Sequence, residues 1–257
     1  QALRVFEEFP HVGAVISGSE TERVRRLFTF LKEQVDSRKK VLSGAAPSVE
    51  KLRQQNLEAA LPDIFLVIDN FVAFMDGRQI SPEFDILKII ANEGTSLGIH
   101  LILTTTSPNY PQAIREKISN VICLEMVNPV HYLDSIGRTG GLYPAADTPG
   151  RGIIRESHLV EFQTALINPD QSNDMEKISV TEQDRQLWLK ALSTLMTDAA
   201  HKCLREQKLP VCIPPMPEKV DLRDLLRKDI SKNCRLNVPI AIDNTSSTLQ
   251  PLNVGFD

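Results

Sequence analysis

From Glu20 to Leu42 the apolar residues Val24, Leu27, Phe28, Leu31 and Val35 recur at spacings of three and four, the stripe of an amphipathic helix that Ser19 or Thr21 would cap. Two later runs, Ile64–Asp69 (IFLVID) and Ile99–Thr105 (IHLILTT), show no polar/apolar alternation and are rich in β-branched residues. That pattern predicts strands buried on both faces, as in a parallel sheet. Between them, Phe84, Leu87, Ile90 and Ala91 fall at helical spacing from Ser81 to Gly94, with Gly94 and Gly98 as stop signals. Strand, helix, strand in that order predicts one right-handed crossover unit. A short helical stretch at Tyr110–Ile118 and a third strand at Asn120–Met126 continue the βα alternation.

A loop rich in glycine then runs from Gly137 to Gly152, and GIIRESHLVEFQTAL alternates around the polar turn Glu156, Ser157, His158, which predicts a hairpin at a sheet edge. The domain is expected to close near Leu166, with a boundary in the polar stretch Asn168–Asp174. Thr181 with Asp184 three residues on opens a further helix carrying Leu187, Ala191, Leu195 and Ala199. A proline cluster, LPVCIPPMP from Leu209, predicts an extended connector; KVDLRDLLRKD and the strand-like VPIAID and LNVGFD follow it.

Composition removes several function classes. A chain of 257 residues with net charge −4 has no global basic field to draw it onto nucleic acid. Its longest apolar stretches have about five residues where a spanning helix needs about 20. No signal-peptide pattern stands at Gln1, and Cys123, Cys203, Cys212 and Cys234 lack metal-ligand spacing, so they read as reduced thiols packed as small apolar groups. His11, His100, His131, His158 and His201 show no HExxH pattern, and no GxSxG elbow occurs, which sets aside zinc and serine hydrolases.

The candidate chemistry gathers at strand ends. An apolar strand ending in Asp69 is what nucleotide hydrolases use to hold a magnesium-bound water at the switch-point crevice, although other α/β domains end strands in the same way. The next residue, Asn70, stands where a carboxylate would orient or deprotonate the attacking water, and an amide takes no proton. Thr104, Thr105 and Thr106 end the adjacent strand, where a hydroxyl would either sense a γ-phosphate or make ordinary strand-end hydrogen bonds. Arg138 and Arg151 lie in GRTGGLYPAADTPGRG, either as arginines projected toward a neighbouring subunit or as solvated loop residues. Nowhere does the chain contain GK followed by Ser or Thr, so the phosphate-cradling loop with its lysine is not in this sequence.

Taken together, FPHVGAVISGSETERVRRLFTFLKEQVDSRKK, LPDIFLVIDNFVAF, ILKIIANEGTSLGIHLILTTTSPN and SIGRTGGLYPAADTPGRGIIRESHLVEFQTAL resemble the FtsK/SpoIIIE-like ATPase modules of the type VII secretion proteins EssC and EccC. The resemblance covers Leu3 to Leu166. It implies a RecA-like P-loop NTPase fold, α/β with a mostly parallel sheet flanked by helices, entered after the phosphate-binding loop. It also implies an order of ATPase module over residues 1–168, helical and proline-rich linker over 169–237, and first strands of a following module over 238–257. The resemblance implies that Asp69 would be the magnesium-side aspartate acting through water and that Asn70 would replace the catalytic carboxylate, with Thr104, Thr105 and Thr106 as the nucleotide-sensing candidates. Where the family often has an arginine about four residues before the glycine of the IGRT-type turn this chain has Leu133, which leaves Arg138 as the candidate trans-acting arginine.

The resemblance further implies ATP and Mg2+ as cofactors of the intact module and a degenerate, regulatory middle position in a tandem array. Its partners would be adjacent modules, other secretion-machinery components, small helical WXG-type secreted proteins and further copies in a hexamer, with no nucleic acid, at the cytoplasmic face of a bacterial plasma membrane. Two other readings remain at this point: an active FtsK-type DNA translocase, which would need a carboxylate at Asn70, and a protein-interaction domain that binds no nucleotide.

Overall fold

A computed structural model describes residues 2–55, 61–165, 181–203, 213–221, 223, 236–243 and 248–256. The boundary expected at Asn168–Asp174, the LPVC start of the proline cluster and most of KVDLRDLLRKD lie outside the described residues. The chain divides into two compact units, Gln1–Phe30 with Ile167–Asp257, and Leu31–Leu166.

The helix α1 (Thr21–Leu42) follows its predicted stripe: Val24, Phe28, Leu31 and Val35 are all buried. Neither Ser19 nor Thr21 caps it through a side chain. The carbonyl of Glu20 takes the first helical bond from Val24 N–H at 2.9 Å, and the Glu20 carboxylate accepts from Ser17 N–H at 3.0 Å, closing the turn before the helix.

In the first unit, a 3-10 helix at Ala2–Glu8 precedes α1, and α7 (Glu182–Cys203) opens on the predicted capping box. Asp184 N–H donates to Thr181 Oγ1 at 3.2 Å while Thr181 N–H donates back to Asp184 Oδ2 at 3.0 Å. In the described part of the proline-rich segment Ile213 is buried, and its carbonyl accepts from Arg23 Nε at 2.9 Å. Arg26, 1 % exposed, donates to the Pro214 carbonyl, but its Nε and Nη1 have no hydrogen-bond partner. The strands β6 (Leu236–Asp243) and β7 (Gln250–Phe256) pair antiparallel.

The second unit holds α2 (Val49–Gln55), β1 (Ile64–Ile68), α3 (Phe71–Met75), α4 (Pro82–Leu97), β2 (Ile99–Leu103), α5 (Gln112–Arg115), β3 (Ile122–Leu124), α6 (Pro129–Ile136), β4 (Arg151–Arg155) and β5 (Leu159–Gln163). The predicted crossover is present: β1 and β2 run parallel, with Leu66 opposite Leu101, and α4 connects them. Helix α4 passes through Gly94 rather than stopping there, and ends at Gly98, whose φ of 65° lies in the left-handed region that glycine adopts without strain. Gly94 has another reason to lack a side chain: a Cβ there would collide with the carbonyl oxygen of Ile99 as the chain turns straight back into β2.

Two expectations change. The third strand is shorter than predicted and does not extend the parallel pair; β3 pairs antiparallel with β4, which pairs with β5 in the predicted hairpin. The second unit is therefore α/β with one parallel pair and one antiparallel three-stranded sheet. Nor are β1 and β2 buried on both faces. Leu66 and Ile68 face the core at 7 % exposure each, whereas Phe65 at 62 %, Val67 at 53 % and Ile102 at 46 % stand open. A continuous apolar run signals that both faces favour apolar neighbours, and among the described residues only one face has them.

Buried Arg38 of α1 ties the entry of β1 to the end of α4, donating to the carbonyls of Pro62 at 2.7 Å, Leu97 at 2.7 Å and Gly98 at 3.1 Å. The carbonyls of Pro62 and Leu97 are ones that the approach to a strand and the last turn of a helix leave unpaired, while that of Gly98 also accepts from Ile64 N–H at 2.9 Å. A second small core, formed by Cys123, Tyr132, Ile136 and Ile153, supports the antiparallel sheet. Burial pushes the Cys123 thiol pKa up, in keeping with an inert packed thiol; the side chains of Cys203, Cys212 and Cys234 lie outside the description.

Candidate strand-end site

The parallel pair brings Asp69 and Thr104 together because each is the residue immediately after its strand, and Ile68 is level with Leu103 in the register. The Thr104 hydroxyl donates to Asp69 Oδ1 at 2.5 Å and accepts from the Asn70 N–H at 3.0 Å. Two backbone bonds flank that pair: Thr104 N–H to Ile68 O at 3.1 Å, and Phe71 N–H to Thr104 O at 2.8 Å. Phe71, fully buried, anchors the start of α3 and meets the Tyr110 ring edge-on at 5.7 Å. Between these fixed points Asn70 adopts φ 51° and ψ 59°, a left-handed geometry that asparagine tolerates better than most residues.

Asp69, Asn70, Thr104, Thr105 and Thr106 are all exposed, on an open shelf at the carboxyl end of the parallel strands. Thr105 is turned to its own loop, its hydroxyl donating to Ser107 O at 2.7 Å. Ligands of open α/β sheets bind at this end of the strands. One carboxylate is a sparse donor set. No cluster of three or more His, Cys, Asp or Glu capable of holding a metal occurs among the described residues. That set fits magnesium, which keeps most of its waters and leans on one or two carboxylates plus the substrate's phosphates. Bound with a nucleotide, the ion would offset phosphate charge. Asp69 would hold it through water, and Thr104 would hold Asp69.

Arg138 is exposed beyond the end of α6, where Gly137 caps the helix at φ 77°, and Leu133 is exposed on α6. The turn is held from outside: Arg155 donates to the carbonyls of Ile136 and Arg138, each at 2.6 Å. Arg155 was missed at the sequence level, since nothing in its spacing distinguishes it from a surface strand residue. Arg151 instead lies 3.8 Å from Glu161 across the β4–β5 pair, so its charge is partly matched within the hairpin.

At the opposite end of the parallel pair, Asp63 Oδ2 accepts from Arg53 at 2.9 Å and Oδ1 lies 3.3 Å from His100 Nε2. The Arg53 guanidinium, and then His100, hold the Asp63 carboxyl below the usual carboxylate range. This cluster braces the strand entries and lies away from Asp69. A groove of about 520 Å³ beside α4 and α5 is lined by Asp85, Lys88, Glu93, Glu116 and Lys117 and includes none of the strand-end residues. Its mixed charge and openness give it no chemical focus, so the shelf remains the candidate site.

No family model matches the chain. It is 26% identical over 241 residues to the ESX secretion system protein YukB of Bacillus subtilis, covering 91% of this chain and 15% of that protein. In structure it is similar to EssC (ATPases 2 and 3) from Geobacillus thermodenitrificans, with TM-score 0.76 and 20% identity over 98% of this chain and 45% of the other. In sequence the chain is thus similar to ESX secretion proteins, and in fold to ATPase modules of EssC and EccC. The same fold occurs in Thermomonospora curvata EccC (ATPases 2 and 3) solved in complex with a signal sequence peptide, with TM-score 0.68 and 19% identity over 99% of this chain and 43% of that one. The chain spans about one seventh of the length of the YukB relative. Among the described residues no helix is long and apolar enough to cross a membrane.

Proposed function

We propose that the chain is a cytosolic ATPase-family module of a type VII secretion motor that binds Mg2+ and ATP with weak or no hydrolysis and regulates or recognises the export of small helical substrates. The observation that carries the reading is the pair Asp69–Asn70 at the end of β1: a carboxylate placed for a magnesium-bound water, followed by an amide where turnover needs a group that orients or accepts the proton of water. Binding draws on the phosphate loop and the metal side; hydrolysis draws on the missing group, so the two separate. Residues 1–168 form the module, 169–237 its linker and 238–257 the opening strands of the next module. The partners are adjacent modules, other secretion-machinery components and WXG-type helical proteins, at the cytoplasmic face of the membrane, with Arg138 offered to a neighbouring copy in a hexamer.

The test is calorimetric ATP binding, with phosphate release followed in parallel, on the protein joined to its phosphate-binding loop, with Asp69→Ala as control. Tight binding lost in Asp69→Ala with negligible release supports the reading. Turnover of roughly 1 per second or more overturns the degenerate assignment, and an absence of binding returns the chain to a protein-interaction domain.

A further inference from the structure

The hydroxyl of Thr104 has one proton and two acceptor lone pairs. In the structure the proton goes to Asp69 Oδ1 at 2.5 Å, and one lone pair takes the Asn70 N–H at 3.0 Å. A hydroxyl so engaged has no second proton for a γ-phosphate. The main chain of Thr104 is itself fixed on both sides of Asp69, through Ile68 O at 3.1 Å and Phe71 N–H at 2.8 Å. Oδ1 is thereby occupied, and Oδ2 has no hydrogen bond to the protein among the described residues.

We propose that Thr104 is a positioning residue: by bonding the Asp69 carboxylate and the Asn70 amide at once, its hydroxyl fixes Asp69 so that Oδ2 is the oxygen available to a magnesium-bound water. The inference rests on the proposed nucleotide site and deepens it, moving Thr104 from a phosphate sensor to the support of the metal-side carboxylate. It also gives Asn70 a structural part. The left-handed backbone at φ 51° aims the Asn70 N–H at the threonine oxygen, so the link depends on the conformation of residue 70 and not on its side chain.

The experiment uses the full-length protein with Mn2+ and ATP as probes, free Mn2+ being counted by electron paramagnetic resonance, and hydrogen exchange of the Asn70 amide read alongside. Thr104→Val removes the hydroxyl at nearly constant shape, Thr104→Ser keeps it, and Asp69→Asn removes the carboxylate. Supporting groups of this kind typically change metal affinity by 10- to 100-fold. The expected result is Mn2+ binding weakened about tenfold in Thr104→Val with faster Asn70 exchange, and both properties within about twofold of wild type in Thr104→Ser. Weakening in Asp69→Asn but none in Thr104→Val overturns the positioning role while leaving the nucleotide site standing. No change in Asp69→Asn overturns the site and the positioning role with it. Equal loss in the Ser and Val variants also overturns the proposal, since the hydroxyl would then not be the active feature. If Thr104→Val fails to fold by circular dichroism, Thr104→Cys takes its place, with a weak S–H donor and the same predictions.

Discussion

Arg38 offers the sharpest test of how this fold is held. The residue is 2 % exposed, forms no ion pair among the described residues, and donates to three carbonyls of three different residues. Desolvation lowers its pKa, the mark of a cation placed where charge is disfavoured. Replacing it by methionine keeps much of the stem volume and removes every donor. The Gly98 oxygen retains the Ile64 N–H at 2.9 Å, so the exposed deficit is the carbonyls of Pro62 and Leu97. The Leu97 acceptor is buried and costs about 1–3 kcal/mol when left unmet, whereas Pro62 is exposed and water can replace part of its lost bond. Relief of the buried charge returns part of that, and a net loss of about 1–2 kcal/mol remains. For a chain of this size that corresponds to a melting temperature lower by roughly 2–8 °C. Thermal melts followed by circular dichroism, with hydrogen exchange at Ile64 and Thr104 to place the change in the parallel pair, give the measurement. Arg38→Lys should be no better than Arg38→Met, because one ammonium cannot span three carbonyls in the geometry of a guanidinium fork. An Arg38→Met protein that melts within about a degree of wild type, or above it, would refute the reasoning: the cost of burying the cation would then exceed the worth of its hydrogen bonds.

Other substitutions probe separate parts of the structure. Gly94→Ala, normally stabilising inside a helix by up to about 1 kcal/mol, should here destabilise by about 2–3 kcal/mol because the new Cβ meets the Ile99 carbonyl, as urea denaturation would register. Arg26→Met should be neutral or stabilising within about 1 kcal/mol in the same assay, since the side chain is buried, Nε and Nη1 make no hydrogen bond among the described residues, and Glu22 approaches Nε only to 3.6 Å; a loss above about 3 kcal/mol would show that the Pro214 bond and the Glu22 pair outweigh the cost of burial. Asp63→Asn should reveal a pH-dependent contribution. The folded-state pKa is depressed, so the stabilisation is full above the ordinary value of 3.8 and fades as pH falls through the lower folded value, making wild type and variant converge in acid. With the carboxylate 35% exposed the difference at neutral pH should be no more than about 1 kcal/mol. Asn70→Glu should cost about 1–2 kcal/mol of stability from its left-handed backbone, and raised phosphate release in that variant would identify the amide as the block to turnover.

What local pattern fixes was legible before any coordinates: the stripe of α1, the capping box of Thr181 and Asp184, the β1–α4–β2 crossover and the β4–β5 hairpin. Each depends on spacings of a few residues, which periodicity and cap chemistry report directly. Asp69, Asn70 and Thr104 were legible as candidates for the same reason, because they punctuate apolar runs. The bond between Asp69 and Thr104 was not, since it joins residues 35 apart and exists only through the register that sets Ile68 beside Leu103. The direction of β3, the open face of Phe65, Val67 and Ile102, and the carbonyl clamps of Arg38 and Arg155 were likewise decided by tertiary structure. A strand's apolar run states what its faces favour, and an arginine's position in sequence states only that it is charged. Which neighbours arrive to cover the one and receive the other depends on how distant segments pack.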